Sequence, residues 1–147
     1  MSLTGRTSII DLPDGTKAFR KASSDAPAGF FQFEATGLQT LGEFGARVPQ
    51  VYEVTDDHLD LELIRAEGST HRATDTEYVF GQELARLHLA GQQAAGNDQS
   101  FGSLPGLSHW YLGGAAIDLK PTDTLYESLV TNRIVPLTRQ AVDAGLL

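Results

Sequence analysis

Two side chains of opposite charge, Lys21 and Glu34, are the residues of this sequence best placed to do chemistry. Lys21 ends the strand-like run KAFRK (17–21), and Glu34 lies inside the apolar segment AGFFQFEATGLQTLGEF (28–44). Glu34 is four residues from both Phe30 and Leu38, so the three share one face of a helix. A carboxylate on a buried face is costly unless a cation pairs with it. We therefore predict an ion pair between Lys21 and Glu34.

The elements that must position this pair form a sheet and one covering helix. TSIIDL (7–12) and KAFRK flank the turn sequence Pro13-Asp14-Gly15, which predicts a hairpin. The runs 48–55 and 58–64 predict a second hairpin, with Leu59, Leu61 and Leu63 alternating as in a half-buried strand.

The helix that carries Glu34 has start and stop signals at its two ends. Its start is indicated by Ser24, Asp25 and Pro27, and its end by Gly45. Its predicted buried face is formed by Phe30, Phe31, Ala35, Leu38 and Leu41.

Helices are predicted for much of the remaining chain. Residues 65–73 are polar and predict a linker, and the capping-box pattern at 74–77 opens a helix that runs to about Gln92. The inner face of this helix is predicted from four residues, Phe80, Leu84, Leu87 and His88. Residues 93–122 show no clear period, and such long irregular stretches are often functional. A final helix is expected from about 123 to 144, kinked at Pro136 and ended by Gly145.

Composition limits the classes of protein and partner. The chain has 147 residues, enough for one core, with 11 Lys and Arg against 19 Asp and Glu. The net charge of −8 argues against nucleic acid as a partner. The lack of cysteine excludes disulfides and thiolate metal sites and favours a cytoplasmic setting. No segment has the length and apolarity of a membrane span, so we expect no membrane partner.

Several motifs in order carry a family resemblance. The succession AFRK, FFQFEATGLQTLGEFGARVPQVYEV, LDLELI, GQELARLHLAG, FGSLPG and ESLVTNRIVPLTRQAVDAGLL resembles the N-terminal half of fructosamine kinases (ketosamine 3-kinases). These belong to the aminoglycoside-phosphotransferase and choline-kinase group of protein-kinase-like enzymes. The resemblance implies an α+β fold: a kinase-like N-lobe over residues 1–64, a hinge or linker over 65–73, and the first helices of a C-lobe over 74–147.

The resemblance also implies roles for particular residues. Lys21 and Glu34 would orient the phosphates of ATP, and the main chain at Glu62, Leu63 and Ile64 would bind adenine as the hinge. A further pair, Trp110 and Arg133, would lie in the region of the sugar-amine substrate. The family transfers phosphate from ATP to the 3-hydroxyl of ketosamine or fructosamine adducts, on small molecules or on glycated protein. That reaction leads to deglycation.

The sequence departs from the family pattern at both ends. None of the four histidines, at positions 58, 71, 88 and 109, begins the family's His-Gly-Asp motif, and a metal-binding aspartate is also missing. Only a short segment, residues 4–8, leads into the first hairpin, so a glycine-rich phosphate loop is absent or reduced.

These departures lead us to expect no catalytic residue and no metal site in this chain. The resemblance implies that the general base and the metal ligands lie beyond Leu147, and that Mg2+ is required only together with that missing C-terminal half. The two leucines after the last helix, Leu146 and Leu147, resemble a cut between elements of a longer protein more than a solvated terminus. The chain alone should be nearly inactive.

Plainer interpretations stay open for these residues. Lys21 could be a solvated edge lysine, and its pair with Glu34 could be purely structural. His88 fits a packed core histidine, Trp110 and Tyr111 fit loop anchors, and Arg133 could offset nearby acids. The acidic residues are expected on a solvated face; they are Asp56, Asp57, Asp60, Glu62 and Glu67. The rival function is a non-catalytic kinase-like binding or interaction domain, with self-association through an exposed apolar face.

Overall fold

The computed structural model describes residues 5–65, 73–96, 100–104, 106–112 and 115–147, with the side chains of 73–75 left out. The strands are β1 (Arg6–Asp11), β2 (Lys17–Ala22), β3 (Val51–Val54), β4 (His58–Glu62), β5 (His109–Leu112) and β6 (Ala115–Asp118). The helices are α1 (Phe30–Glu43), α2 (Ala73–Ala95) and α3 (Val135–Asp143), with a π-helical segment, Glu127–Ile134, directly before α3. The α+β class is confirmed. The predicted linker falls almost entirely outside the described residues, as do His71 and Glu67.

The first four strands form one antiparallel sheet in the order β1-β2-β4-β3. Both predicted hairpins are confirmed, and Gly15 makes the first turn possible with φ +84° and an N–H bond of 2.9 Å to the Leu12 carbonyl. The register between β2 and β4 places Lys21 opposite Leu59, and Arg20 opposite Asp60. Arg20 and Lys21 are consecutive in β2, so their side chains lie on opposite faces of the sheet. Each shares its face with the residue directly opposite it on β4.

Helix α1 covers the lysine face of this sheet. Phe31 and Ala35 pack with Leu59 and Leu61 as the buried cluster, and Leu38 lies half-buried beside it. The expectation for Leu41 is wrong, since its side chain is 40% exposed. Six residues after Ala35 on the helix, Leu41 is rotated about 120° away from the buried face.

The start of α1 also differs from the expectation. The cap is Gly29, at φ +80°, with no side-chain hydrogen bond, and neither Ser24 nor Asp25 caps the helix. A turn lies between them and the helix, since the Phe30 N–H donates to the Pro27 carbonyl at 3.0 Å. The predicted stop at Gly45 is confirmed, with φ +88°.

The stretch 93–122, expected to be irregular, contains the antiparallel pair β5 and β6. Each strand has only four residues, too few to produce a visible period. The side chains of β5 attach this small sheet to α1: the Tyr111 ring lies 5.8 Å from that of Phe30, and its hydroxyl donates to the Ala28 carbonyl at 3.2 Å. The loop-anchor interpretation of Tyr111 is therefore correct in substance, although the residue lies in a strand.

Helix α2 is confirmed by position, but its predicted inner face is wrong for the structure described. Phe80 is 64% exposed, Leu84 is 39% exposed, and His88 is exposed as well. Within the described part of the chain, no other element packs along this helix to cover its apolar side chains. None of the described helices is long and apolar enough to span a membrane.

The final helical run is π-helical up to Ile134 and α-helical from Val135. The change in hydrogen bonding falls beside Pro136, which lacks an N–H to donate. Gly145, at φ +67°, ends α3 as predicted, with the Leu146 N–H donating to the Ala141 carbonyl at 2.9 Å. Leu147 follows without regular secondary structure, and its side chain is 80% exposed.

Candidate functional site

The predicted ion pair between Lys21 and Glu34 is confirmed. Lys21 Nζ donates to both carboxylate oxygens of Glu34, at 2.8 Å to Oε1 and 2.6 Å to Oε2. The side chains are 35% and 32% exposed, so the pair is half-buried and not enclosed in the core. At that exposure the pair contributes only about 1 kcal/mol or less to stability. An ammonium group has three hydrogens, so one remains to meet an anion in the adjacent space.

The predicted hinge residues lie at the end of β4 and just beyond it. Glu62 has its N–H bonded to the Gln50 carbonyl at 2.8 Å, and its carboxylate accepts from Arg47 Nη2 at 2.5 Å. The hydrogen bond from Arg47 holds the pKa of Glu62 below its usual value. Leu63 and Ile64 follow the strand without regular secondary structure, and Ile64 is 56% exposed. The main chain of these two residues is therefore a better candidate for binding a base than that of Glu62.

Asp60 corrects the expectation of a solvated acidic face. Its side chain is fully buried, and it accepts from Arg20 Nε and Nη2 at 2.6 Å each. This hydrogen bonding raises the pKa of Arg20 above its ordinary value. The register of β2 against β4 brings these two residues together, and no local pattern in the sequence indicates that pairing.

His58 extends this ion-pair network across the same face of the sheet. Its Nε2 lies 3.3 Å from Glu53, and its Nδ1 lies 2.9 Å from Asp57. Burial alone would lower the pKa of His58, but the hydrogen bonds to Asp57 and Glu53 raise it overall. Ligand atoms of Glu53, His58 and Asp60 lie within 4.8 Å of one another, as in a metal site. Arg20 already occupies both oxygens of Asp60, so we interpret the group as an ion-pair network.

A pocket of about 430 Å³ lies beside α1, next to the small sheet formed by β5 and β6. Six of its lining residues are Phe33, Ser103, Leu104, Trp110, Leu119 and Arg133. The ring of Phe33 is 5.8 Å from that of Trp110, and the Arg133 guanidinium carbon is 6.0 Å from the Trp110 ring centroid. The structure therefore brings together Trp110 and Arg133, the two residues predicted for the substrate region. Phe33 was missed, although it precedes Glu34 directly in the sequence.

Leu147 is not a site residue. It only marks the position beyond which the general base and the metal ligands are predicted to lie. Its exposed side chain does not line the pocket beside Trp110, and an aliphatic side chain offers neither a proton acceptor nor a metal ligand. The location of the base and of the metal ligands beyond this residue stays a prediction.

An antiparallel sheet covered by one helix, with a strand lysine paired to a helix glutamate, is the arrangement of a protein-kinase-like N-lobe. The sequence model of the fructosamine kinase family matches residues 6–110. The chain therefore belongs to the fructosamine kinase family, as the motifs predicted.

A solved structure supports the same assignment. It is the crystal structure of a protein from Thermobifida fusca YX-ER1 that is assigned as a fructosamine-3-kinase, and it is 35% identical in sequence with a TM-score of 0.71. The match covers 100% of this chain and 51% of that protein, so the chain spans about half the length of its relative. A comparison with curated proteins finds no significant match.

Proposed function

We propose that this chain supplies the ATP-binding lobe of a phosphotransferase of the fructosamine kinase type. The acceptor would be a ketosamine or fructosamine, free or on glycated protein, phosphorylated at the sugar 3-hydroxyl as a step in deglycation. The observation that carries the proposal is Lys21 Nζ, which donates to both oxygens of Glu34 at 2.6 and 2.8 Å. Family membership supports it, and a cytoplasmic setting belongs to the same proposal.

The residues of this lobe fit ATP in two places. The ammonium of Lys21 is fixed by Glu34 and keeps a hydrogen for a phosphate oxygen. The main chain of Leu63 and Ile64 would bind the adenine edge. ATP would supply the phosphoryl group that is transferred.

One cluster of three potential metal ligands lies among the described residues, and it is badly placed for the Mg2+ that accompanies ATP in such enzymes. It consists of Glu53, His58 and Asp60. Asp60 lies on the face of the sheet opposite Lys21, and Arg20 places a positive charge on it. An ion held there could not also touch phosphates beside Lys21. The magnesium ligands, and the base that deprotonates the acceptor, are therefore proposed to lie outside these residues.

Thermal unfolding with and without ATP tests the proposal. At an ATP concentration ten times Kd, binding should stabilise the chain by about 1.4 kcal/mol, because only the folded state binds. That corresponds to a rise in Tm of roughly 3–6 °C for a chain of this size. Lys21→Ala should abolish the rise. Lys17→Ala is the matched control: it removes a lysine from the same strand, where Lys17 pairs with Asp11 in an exposed position.

Two results would contradict the proposal. One is the absence of any rise in Tm up to millimolar ATP, and the other is an equal rise in the chain and in Lys21→Ala. Phosphate transfer to a fructosamine should stay near background with this chain alone, because the base and the magnesium ligands are proposed to lie outside the described residues.

Exposed apolar side chains favour a second candidate function, that of a non-catalytic interaction domain. Helix α2 presents Tyr78 at 69%, Phe80 at 64% and Leu89 at 57% exposure. Exposed apolar side chains promote association, including association between two copies. Light scattering after size exclusion tests this: an oligomer that dissociates in Phe80→Ser supports it, whereas a monomer at all concentrations contradicts self-association.

A further inference from the structure

Arg47 connects the end of helix α1 to the end of strand β4. It follows Gly45, the stop of the helix, by two residues, and its Nη2 donates to the Glu62 carboxylate at 2.5 Å. Its Nη1 donates to the Val48 carbonyl, so the guanidinium is held by two of its donors. Arg47 therefore joins the segment that leaves α1 to the last residue of β4.

The end of β4 depends on this connection on the side that faces β3. A register shift interrupts the ladder after Val51, which pairs with Leu61. Beyond that pair, the Glu62 N–H donates to the Gln50 carbonyl at 2.8 Å, and Glu62 Oε2 accepts from the Gln50 N–H at 3.2 Å. The other carboxylate oxygen, Oε1, accepts from the guanidinium. On the side that faces β2, Glu62 lies opposite Ala18.

The exposure of this ion pair limits its contribution to stability. The side chains of Arg47 and Glu62 are 63% and 32% exposed, and ion pairs that water screens in this way contribute little to folding. The hydrogen bond from Arg47 holds the pKa of Glu62 below its usual value, so the carboxylate is ionised at neutral pH. Loss of the guanidinium should therefore leave the chain folded and release the carboxylate at the end of the strand.

We propose that Arg47 is a positioning residue for the base of the nucleotide. Through Glu62 it fixes the end of β4, and thereby the main chain of Leu63 and Ile64 that would meet the adenine edge. These two residues follow the strand without regular secondary structure, so the residue before them sets where their N–H and C=O groups point. The inference rests on the proposed function and assigns the base to Arg47, while Lys21 would hold the phosphates.

ATP and inosine triphosphate (ITP) test the inference, because they differ only at one edge of the base. ITP has the same ribose and phosphates, but an oxygen replaces the N6 amino group and N1 carries a hydrogen, so donor and acceptor are exchanged. A main chain placed to bind adenine leaves its own groups unpaired against ITP. The rise in Tm with nucleotide concentration gives Kd for each ligand. The unmodified chain should bind ATP at least roughly fivefold more tightly than ITP, which corresponds to one neutral hydrogen bond.

Arg47→Met removes the guanidinium and keeps an apolar stem. It should weaken ATP binding about fivefold and ITP binding less than about twofold, so the preference for ATP falls below about twofold. Arg47→Lys should keep most of the preference, since an ammonium also donates to Glu62. Arg139→Met is the matched control, because it removes one positive charge from an exposed site on α3, which packs on the π-helical segment and β6. This control should keep the full preference.

A double-mutant cycle shows whether Arg47 acts through Glu62. Arg47→Met and Glu62→Leu should each weaken ATP binding, and the double variant should weaken it no more than either single variant does. Far-UV circular dichroism verifies that the variants are folded. If Arg47→Met does not fold, Glu62→Leu provides the same comparison of ATP with ITP.

Equal affinity of the unmodified chain for ATP and ITP overturns the inference, because the base edge is then not recognised. A preference for ATP that Arg47→Met leaves unchanged also overturns it, and so do additive losses in the double variant. Equal weakening of ATP and ITP by Arg47→Met overturns it in favour of an effect on the phosphates. The proposed function has its own test in Lys21→Ala, and absence of ATP binding contradicts both. A chain that binds ATP through Lys21 and keeps its preference in Arg47→Met refutes only the positioning role.

Discussion

The buried carboxylate of Asp60 makes the stability of the large sheet depend on one cation. Arg20 donates to both of its oxygens at 2.6 Å, and the Asp60 side chain has no exposed surface. Arg20→Leu retains an apolar stem and removes both donors. The carboxylate must then stay ionised without a partner or take up a proton, and either outcome lowers the free energy of unfolding.

The size of the loss follows from the burial of the two groups. Removing one partner of a buried pair costs about 3–5 kcal/mol. The Arg20 side chain is 31% exposed, so water can reach the site after the change. We therefore expect the lower end of that range, about 3 kcal/mol, which lowers Tm by roughly 6–12 °C in a domain of this size. In the double variant Arg20→Leu with Asp60→Leu the buried charge is gone, and most of the stability should return.

Urea unfolding at pH 7, followed by far-UV circular dichroism, measures these differences. Lys17→Leu is the control, because it breaks a pair with Asp11 of 2.7 Å whose side chains are 51% and 68% exposed. That change should cost no more than about 0.5 kcal/mol. The reasoning is refuted if Arg20→Leu is as stable as Lys17→Leu, or if the double variant is no more stable than Arg20→Leu alone.

Two further changes test other parts of the fold. The folded-state pKa of His58 is raised, so its contribution to stability is full below its usual value of about 6.5 and is lost as pH rises through the raised pKa. The unfolding free energy of the chain should therefore exceed that of His58→Gln more at pH 6 than at pH 8, and parallel pH profiles would contradict this. At Gly102, with φ +88°, an added Cβ would lie 2.3 Å from Ser128 Oγ, so Gly102→Ala should cost roughly 2 kcal/mol or more. Gly106→Ala, at φ +73° with open space around it, should cost only about 1 kcal/mol, and equal losses of Tm would exclude the steric explanation.

The parts of the fold that follow from local signals could be predicted from the sequence. Pro13-Asp14-Gly15 and Gly45 require particular backbone conformations, and the structure has turns at both places. The pair β5 and β6 was missed because strands of four residues do not establish a period. A signal was present in the sequence, since Gly113-Gly114 separates two short apolar runs in the manner of a two-residue hairpin.

Part of the candidate site follows from local sequence signals, and part depends on contacts between distant residues. A carboxylate on an apolar helix face needs a cation to pair with, and Lys21 was the nearest cation on a predicted strand. The ion pair of Lys21 and Glu34 could therefore be predicted. The burial of Asp60 could not, because its alternation with Leu59 and Leu61 points it to the face assumed to be solvated. Only the pairing of β2 with β4 brings Arg20 over it, and these two residues are 40 positions apart.

Helix α1 contributes a side chain both to the Lys21–Glu34 pair and to the pocket beside Trp110. Phe31 and Ala35 fix it on the large sheet, and the consecutive residues Phe33 and Glu34 point about 100° apart around its axis. Glu34 thus meets Lys21 on one side, while Phe33 meets the Trp110 pocket on the other. Because both contacts belong to one helix, we predict that a displacement of α1 that loosens the lysine pair also alters the pocket.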